Sequence, residues 1–485
     1  MLYNSYEFIL AFLPLTFCVY FLLNRSRRIE AGKLFLVLSS LFFYGYWNPI
    51  YVPLILASMI VNYRIGQVLA RLSPSRMGKK HMLWAGVIFN LGLLGYFKYS
   101  DFFLANVNWV FGTDFDLLHL TLPLAISFFT FQQIAYLVDS YRNETHEYNF
   151  LNYMVFVTFF PQLIAGPIVH HKEIMPQFAN LRTKYLDFRN IATGVFIFSI
   201  GLFKKVVLAD TFAQWANAGF DNAQNLALID AWVASLSYTF QLYFDFSGYA
   251  DMAIGIGLMF NIRLPINFNS PYKAVDIQDF WRRWHITLSR FLRDYIYIPL
   301  GGNRKGPWRT YTNLLLTFLL GGIWHGAGWT FVFWGFLHGA ALVIHRFWSQ
   351  LGFKLGAVLG WFVTFNFVNV AWVFFRAEQW QDAVNILRGM VGLNGVVLPQ
   401  ALARFLPDLS AWGVVFGDYI SGVHGSAITL LWLVLGFVIV LLCKNSVENM
   451  ESFEPNAYRL AFAANCFAIS LFGMYQVTEF LYFNF

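Results

Sequence analysis

The sequence predicts an all-α, polytopic membrane protein, and three observations carry that prediction. Of 485 residues, 58% are apolar and 12% are charged, whereas a soluble domain carries roughly 25% charged residues. Apolar runs recur from end to end, several of them near the length of about 20 helical residues that crosses a bilayer. Short basic loops separate many of these runs, as the positive-inside rule produces. The formal net charge of +7 therefore reads as membrane topology, and nucleic acid is not an implied partner.

The first seven residues place no basic segment ahead of the first apolar run, and no small-residue cleavage site follows it. Residues 8–23 accordingly read as a membrane helix rather than a cleaved signal. A basic loop follows, with Arg25, Arg27, Arg28 and Lys33, then apolar runs at 34–47 and 51–70, then a second basic loop from Arg71 to Lys80. Two crossings separate the basic loops, which places both in the cytoplasm and the N-terminus outside. Further runs occupy 82–97, 102–112, 119–138, 151–169, 190–209, 229–260, 310–324, 328–345, 354–375, 427–443 and 459–482. Some are too short to span, so about eleven crossings are expected, with shorter re-entrant and interfacial helices beside them. The chain reads as one membrane domain, 1–485, with an extramembrane loop at 391–426 where Gly, Pro and Asp are more frequent. Cys18, Cys443 and Cys466 lie in or beside apolar runs and read as small buried residues.

Polar groups inside such runs are costly and usually face the bundle interior or a water-filled cavity. The segment 241–251, which includes Asp245, is the densest case and reads either as a cavity lining or as a buried packing network. The stretch 161–167 begins and ends with proline, and a helix break is expected at Pro167. His170 and His171, just beyond, read as residues of a solvated loop.

The region 276–340 concentrates the remaining chemistry. Read as one helix at about 100° per residue, 281–295 gathers Arg282, Arg283, Arg290 and Arg293 within a sector of roughly 100°. Trp281, Trp284, Leu288, Phe291, Leu292 and Tyr295 fall opposite, which suits an amphipathic helix at the membrane interface. The arginines could bind lipid phosphates or those of an acyl carrier. His285 falls at the border of the apolar face. His325 ends a nearly uninterrupted apolar run and is surrounded by Gly321, Gly322, Gly326 and Gly328, which let another backbone or a substrate come close. An imidazole there costs desolvation and calls for a partner or a task, and histidine exchanges protons near neutral pH. His338 sits on the next run. No Cys companion or HExxH-type motif accompanies these histidines, so no metal site is expected, and no GxSxG elbow exposes a nucleophile. His325 acting as general base on a hydroxyl is the remaining chemistry.

At these residues the chain resembles the membrane-bound O-acyltransferase (MBOAT) family, in its bacterial branch of exopolysaccharide and alginate O-acetylation. The resemblance rests on Gly95-Tyr96-Phe97-Lys98-Tyr99-Ser100, Leu163-Ile164-Ala165-Gly166-Pro167 and Tyr243-Phe244-Asp245-Phe246-Ser247-Gly248-Tyr249. It rests equally on Phe280-Trp281-Arg282-Arg283-Trp284-His285 and Gly322-Ile323-Trp324-His325-Gly326. It implies a helical bundle around a central tunnel, with His325 catalytic and His285 a second active-site residue. His338, Asp245 and Trp324 are then candidate supporting residues, and the four arginines candidate donor-phosphate or lipid-phosphate ligands. It further implies acetyl-CoA as donor substrate with no bound cofactor, and a multi-pass location in the bacterial inner membrane. The implied partners are membrane lipids, periplasmic acetyltransferases and a polysaccharide synthesis complex. The rival expectation is a polysaccharide or lipid transporter that moves its cargo unmodified.

Overall fold

The computed structural model describes residues 1–71, 77–145, 147, 149–407, 409–474, 478 and 480–481. Residues 72–76 of the second basic loop, and 475–477, 479 and 482 of the last apolar run, lie outside the described residues. The apolar runs are helical over most of their length. Among the described residues, Glu7–Arg25, Pro49–Arg71, Phe188–Asp221, Trp329–Gln350 and Ala357–Arg376 are long and apolar enough to cross a membrane. Ala427–Leu442 and Ala457–Gly473 are apolar but shorter. The chain is a multi-pass, predominantly helical membrane protein.

The chain forms two compact units. One comprises Met1–Phe203, Tyr249–Asn267 and Met450–Phe485; the other comprises Lys204–Gly248 and Phe268–Asn449. In the first, Tyr3, Phe8, Phe12, Phe43 and Phe160 form a continuous aromatic core, and the Tyr3 hydroxyl donates to the Phe160 carbonyl at 2.8 Å. Gly194 and Gly255 bring two helices into backbone contact, for a Cβ on Gly194 would lie 2.5 Å from the Gly255 carbonyl oxygen. Small residues at such crossings are how helices associate where lipid supplies no hydrophobic drive.

Several expectations need correction in this unit. The run 119–138 is helical only from Ile126. The run 151–169 divides into Phe150–Thr158 and Phe160–Leu163, so the break falls at Phe159 and again before Gly166, not at Pro167. The second break lets Gly166 fold back on the short helix, where a Cβ would sit 2.5 Å from Gln162 Cα. His170 and His171 are not solvated: both are buried. His170 Nδ1 lies 3.5 Å from an Asp139 carboxylate oxygen and His171 Nε2 lies 3.2 Å from Glu147. Distant carboxylates supply the partners that burial requires. Cys466 is buried as expected, whereas Cys18 and Cys443 are exposed. Cys18 shares its helix face with exposed Leu15 and Leu22, an outward surface that hydrocarbon covers.

In the second unit the segment 391–426 is not featureless. Val396–Pro399 and Val414–Gly417 pair as parallel strands, Val396 opposite Val414, among short turns of tight helix. The 241–251 segment belongs to one long helix, Leu228–Met259, which supplies residues to both units.

Candidate active site

Pro307–His325 and Trp329–Gln350 form an antiparallel hairpin whose tip is Gly326, Ala327 and Gly328. Glycine makes this hairpin possible. A Cβ on Gly322 would lie 2.4 Å from the Phe331 carbonyl oxygen, and one on Gly335 would lie 2.4 Å from that of Phe318. The glycines around His325 thus serve a second backbone, and Gly326 faces the Phe331 ring at 2.2 Å from such a Cβ. His325 is the last helical residue before the tip and is 3% exposed.

The arginine-bearing segment is not one amphipathic helix. Ile277–Arg283 ends where the Trp284 amide donates to the Phe280 carbonyl at 2.8 Å. His285 then takes the left-handed conformation, φ 43° and ψ 55°, and its carbonyl accepts the first bond of Ile286–Leu292 from Ser289 at 3.0 Å. The helical wheel fails across this turn, so Arg282 and Arg283 share no helix with Arg290 and Arg293. Trp281, Trp284 and His285 are all buried and present no membrane-interface face. A non-glycine residue in this conformation costs about 1–3 kcal/mol and persists only where its surroundings enforce it. What it achieves here is placement: the His285 ring centroid lies 6.5 Å from that of His325.

Aromatic rings enclose the pair. Trp324, Trp334 and Phe375 lie 4.9, 5.0 and 5.2 Å from the His325 ring. Phe246 meets His285 edge-on at 4.8 Å, and the Trp324 ring, next to His325, also lies 6.3 Å from His285. His338 stands one ring further out. It is fully buried, accepts a hydrogen bond at Nδ1 from Trp281 Nε1 at 3.2 Å, and packs 4.8 Å from Trp334. Because Nδ1 accepts, the ring proton sits on Nε2. His338 therefore braces Trp281 and Trp334, and Trp334 in turn walls His325.

The remaining expected residues are placed elsewhere. Asp245 is buried on Lys205 at 2.8 Å, and Lys205 also meets Asp210 at 3.0 Å. A packing network thus claims Asp245, while its neighbour Phe246 faces His285. Arg283 is held by Asp279 at 2.8 Å and Arg293 by Asp294 at 2.7 Å. Arg290 is half-buried, and Arg282 is exposed and makes no ion pair among the described residues. No cluster of three or more His, Cys, Asp and Glu suited to a metal occurs among the described residues. Sequence reasoning missed Phe246, Trp334 and Phe375. The signal available was density of large aromatics, 17 Trp and 55 Phe, which is too general to single out a wall. The Trp334 indole N–H is also buried without a hydrogen-bond partner among the described residues, a donor in the innermost shell.

The site is thus a pair of buried histidines, His285 and His325, enclosed by aromatic rings in a multi-pass membrane protein. The chain belongs to the membrane-bound O-acyltransferase family, MBOAT. The family's sequence profile matches residues 138–376. A peptidoglycan O-acetyltransferase of Helicobacter pylori is 49% identical over 100% of this chain and 98% of its own length. A probable alginate O-acetylase of Pseudomonas aeruginosa is 43% identical over 88% of this chain and 81% of its own. More distantly, a teichoic acid D-alanyltransferase of Bacillus subtilis is 26% identical over 53% of this chain. The chain is an acyltransferase.

Proposed function

We propose that this chain takes acetyl from a cytoplasmic thioester, acetyl-CoA, and passes it across the bacterial inner membrane for O-acetylation of peptidoglycan. The observation that carries the reading is the His325–His285 pair, 6.5 Å apart inside an aromatic shell, in a chain 49% identical along its whole length to a peptidoglycan O-acetyltransferase. Its N-terminus faces the periplasm, as the basic loops require. A periplasmic acetyltransferase in a polysaccharide synthesis complex receives the group and completes transfer. Asp245, one of the intramembrane polar groups behind the transporter reading, is committed to Lys205.

His325 accepts the proton of an acceptor hydroxyl while that oxygen attacks the thioester carbonyl. The tetrahedral centre collapses, the carbon–sulfur bond breaks, and the thiolate takes the proton back from the imidazolium. General-base help of this kind contributes roughly 10²–10⁴-fold. The Trp334 N–H, on a ring 5.0 Å from that of His325, donates to the oxyanion, and His285 orients the acyl donor. The walls of Trp324, Trp334 and Phe375 exclude water that would hydrolyse the thioester.

The test is chemical analysis of the polymers. The gene is deleted from its host, and ester-linked acetate is measured on purified peptidoglycan and on exopolysaccharide. Acetate lost from peptidoglycan, restored by the wild-type chain and not by His325→Ala, is the expected result. Loss confined to exopolysaccharide would move the assignment to an alginate-like acceptor.

A further inference from the structure

A cavity of about 370 Å³ lies in the first unit, with none of the proposed catalytic groups in its walls. Its size is within the range of roughly 300–1,000 Å³ usual for small-molecule sites, and its charges are the informative part. Lys33 and Lys172 stand against Glu144 and Glu147 around it, so its formal lysine and glutamate charges cancel. Lys33, only 9% exposed, donates to Glu30 at 2.9 Å and to Asn152 at 2.8 Å; an ammonium has three donors, which leaves one. Lys172 meets Glu144 at 2.5 Å, and Glu147 meets His171 at 3.2 Å.

Both kinds of charge are held in their ionised forms. The hydrogen bond it donates to Glu144 raises the Lys172 ammonium above its ordinary value against the opposing effect of burial. Burial pushes Glu147 up, but the His171 and Asn149 hydrogen bonds outweigh it and leave the carboxyl below its ordinary value. One group in the wall is unanswered. The Thr145 hydroxyl is buried, its residue 4% exposed, and it has no hydrogen-bond partner among the described residues. A buried hydroxyl left unpaired is destabilising, so a polar ligand that reaches it recovers that cost.

Net charge decides what the ligand is. A polyanion such as a nucleotide would bring its phosphates against Glu144 and Glu147, and a simple cation would meet Lys33 and Lys172. A zwitterion meets both. Lys33 lies on the buried face of the Ile29–Gly45 helix, whose opposite face carries exposed Leu34 and Leu38, an apolar surface suited to hydrocarbon.

We propose that this cavity binds a phosphoethanolamine group, its phosphate on Lys33, Lys172 and Thr145 and its ammonium on Glu144 and Glu147, as a site separate from acyl transfer. The same chemistry is available from a membrane phospholipid headgroup or from a soluble phosphoethanolamine.

The full chain, delipidated in detergent, is titrated with short-chain phosphatidylethanolamine, phosphatidylcholine and phosphatidylglycerol, and separately with O-phosphoethanolamine, and bound ligand is counted by native mass spectrometry. The ethanolamine ligand is expected to bind at one site, with phosphatidylglycerol and phosphatidylcholine each about tenfold weaker, the loss from one charge-assisted contact. Thr145→Val and Glu147→Gln should each weaken binding by a similar factor. Binding should be unchanged in His325→Ala, which separates failure here from failure of the acyl-transfer reading. Phosphatidylethanolamine binding much tighter than the soluble compound identifies the lipid as the source, whereas equal binding identifies the headgroup alone. Absence of ethanolamine binding, equal binding of phosphatidylglycerol, or indifference to both substitutions would overturn the proposal.

Discussion

Gly335→Ala adds a single methyl group at a helix crossing, and the structure predicts that it nearly silences the enzyme. The new Cβ would sit 2.4 Å from the Phe318 carbonyl oxygen and 3.1 Å from Gly322 Cα. A carbon against a carbonyl oxygen settles at about 3.3–3.6 Å, so the two helices must part by roughly 1 Å. Both obstructing atoms belong to backbone, which cannot swing aside. Forced overpacking of this kind costs about 1–3 kcal/mol. The larger consequence is catalytic, because His325 ends one of these helices and Trp334 precedes Gly335 on the other. A misplacement of about 1 Å at a reacting group costs roughly 10²-fold in rate. Acetyl transfer by the purified variant in proteoliposomes measures this, with thermal unfolding in the same detergent as the check on folding. Gly328→Ala is the control: its Cβ would lie 3.5 Å from the nearest Phe331 ring atom, and its activity should stay within a few-fold of wild type. A Gly335→Ala enzyme as active as that control would refute the view that the glycine crossing sets the position of His325.

Three further substitutions separate roles. Trp334→Phe keeps an aromatic six-membered ring and removes the indole N–H with the five-membered ring that carries it, and should lower kcat by about 10²-fold if that group meets the oxyanion; an unchanged kcat would leave Trp334 as wall alone. Lys205→Met strands buried Asp245 and should lower stability by about 3–5 kcal/mol in denaturant unfolding, while Lys205→Met with Asp245→Leu should recover much of the loss; equal stability of all three chains would contradict the buried-pair assignment. Arg282→Ala should raise KM for acetyl-CoA several-fold with little change in kcat, since Arg282 alone among the four arginines is exposed and makes no ion pair among the described residues; an unchanged KM removes it from the donor site.

The sequence made the helices legible because lipid imposes long apolar runs, and 229–260 became one helix, Leu228–Met259. His325 was legible for a related reason, a costly imidazole at the end of hydrocarbon. The turn at His285 was not. A helical wheel presumes unbroken 3.6-residue periodicity, and nothing in Arg283-Trp284-His285 carries the glycine or proline that normally announces a break. Tertiary packing of Trp284 against Trp372, 4.9 Å between rings, and of His285 against Phe246 accompanies the left-handed residue. His170 and His171 were illegible in the same way, since the carboxylates that make their burial tolerable lie at Asp139 and Glu147. The dual reading of the 241–251 segment was decided at Asp245 by Lys205, a partner some forty residues upstream that no local pattern could pair with it.

Acetyl transfer by this chain depends most directly on His325. Purified His325→Ala, shown by unfolding temperature and membrane insertion to be folded, is given labelled acetyl-CoA in proteoliposomes and assayed for acetyl delivered to a hydroxyl acceptor. His345→Ala, on the neighbouring helix where His345 is half-buried 3.8 Å from Asp276, serves as the matched histidine control. The account predicts no transfer above background for His325→Ala and near-normal transfer for His345→Ala. Transfer by folded His325→Ala at the rate of the His345→Ala control would contradict it.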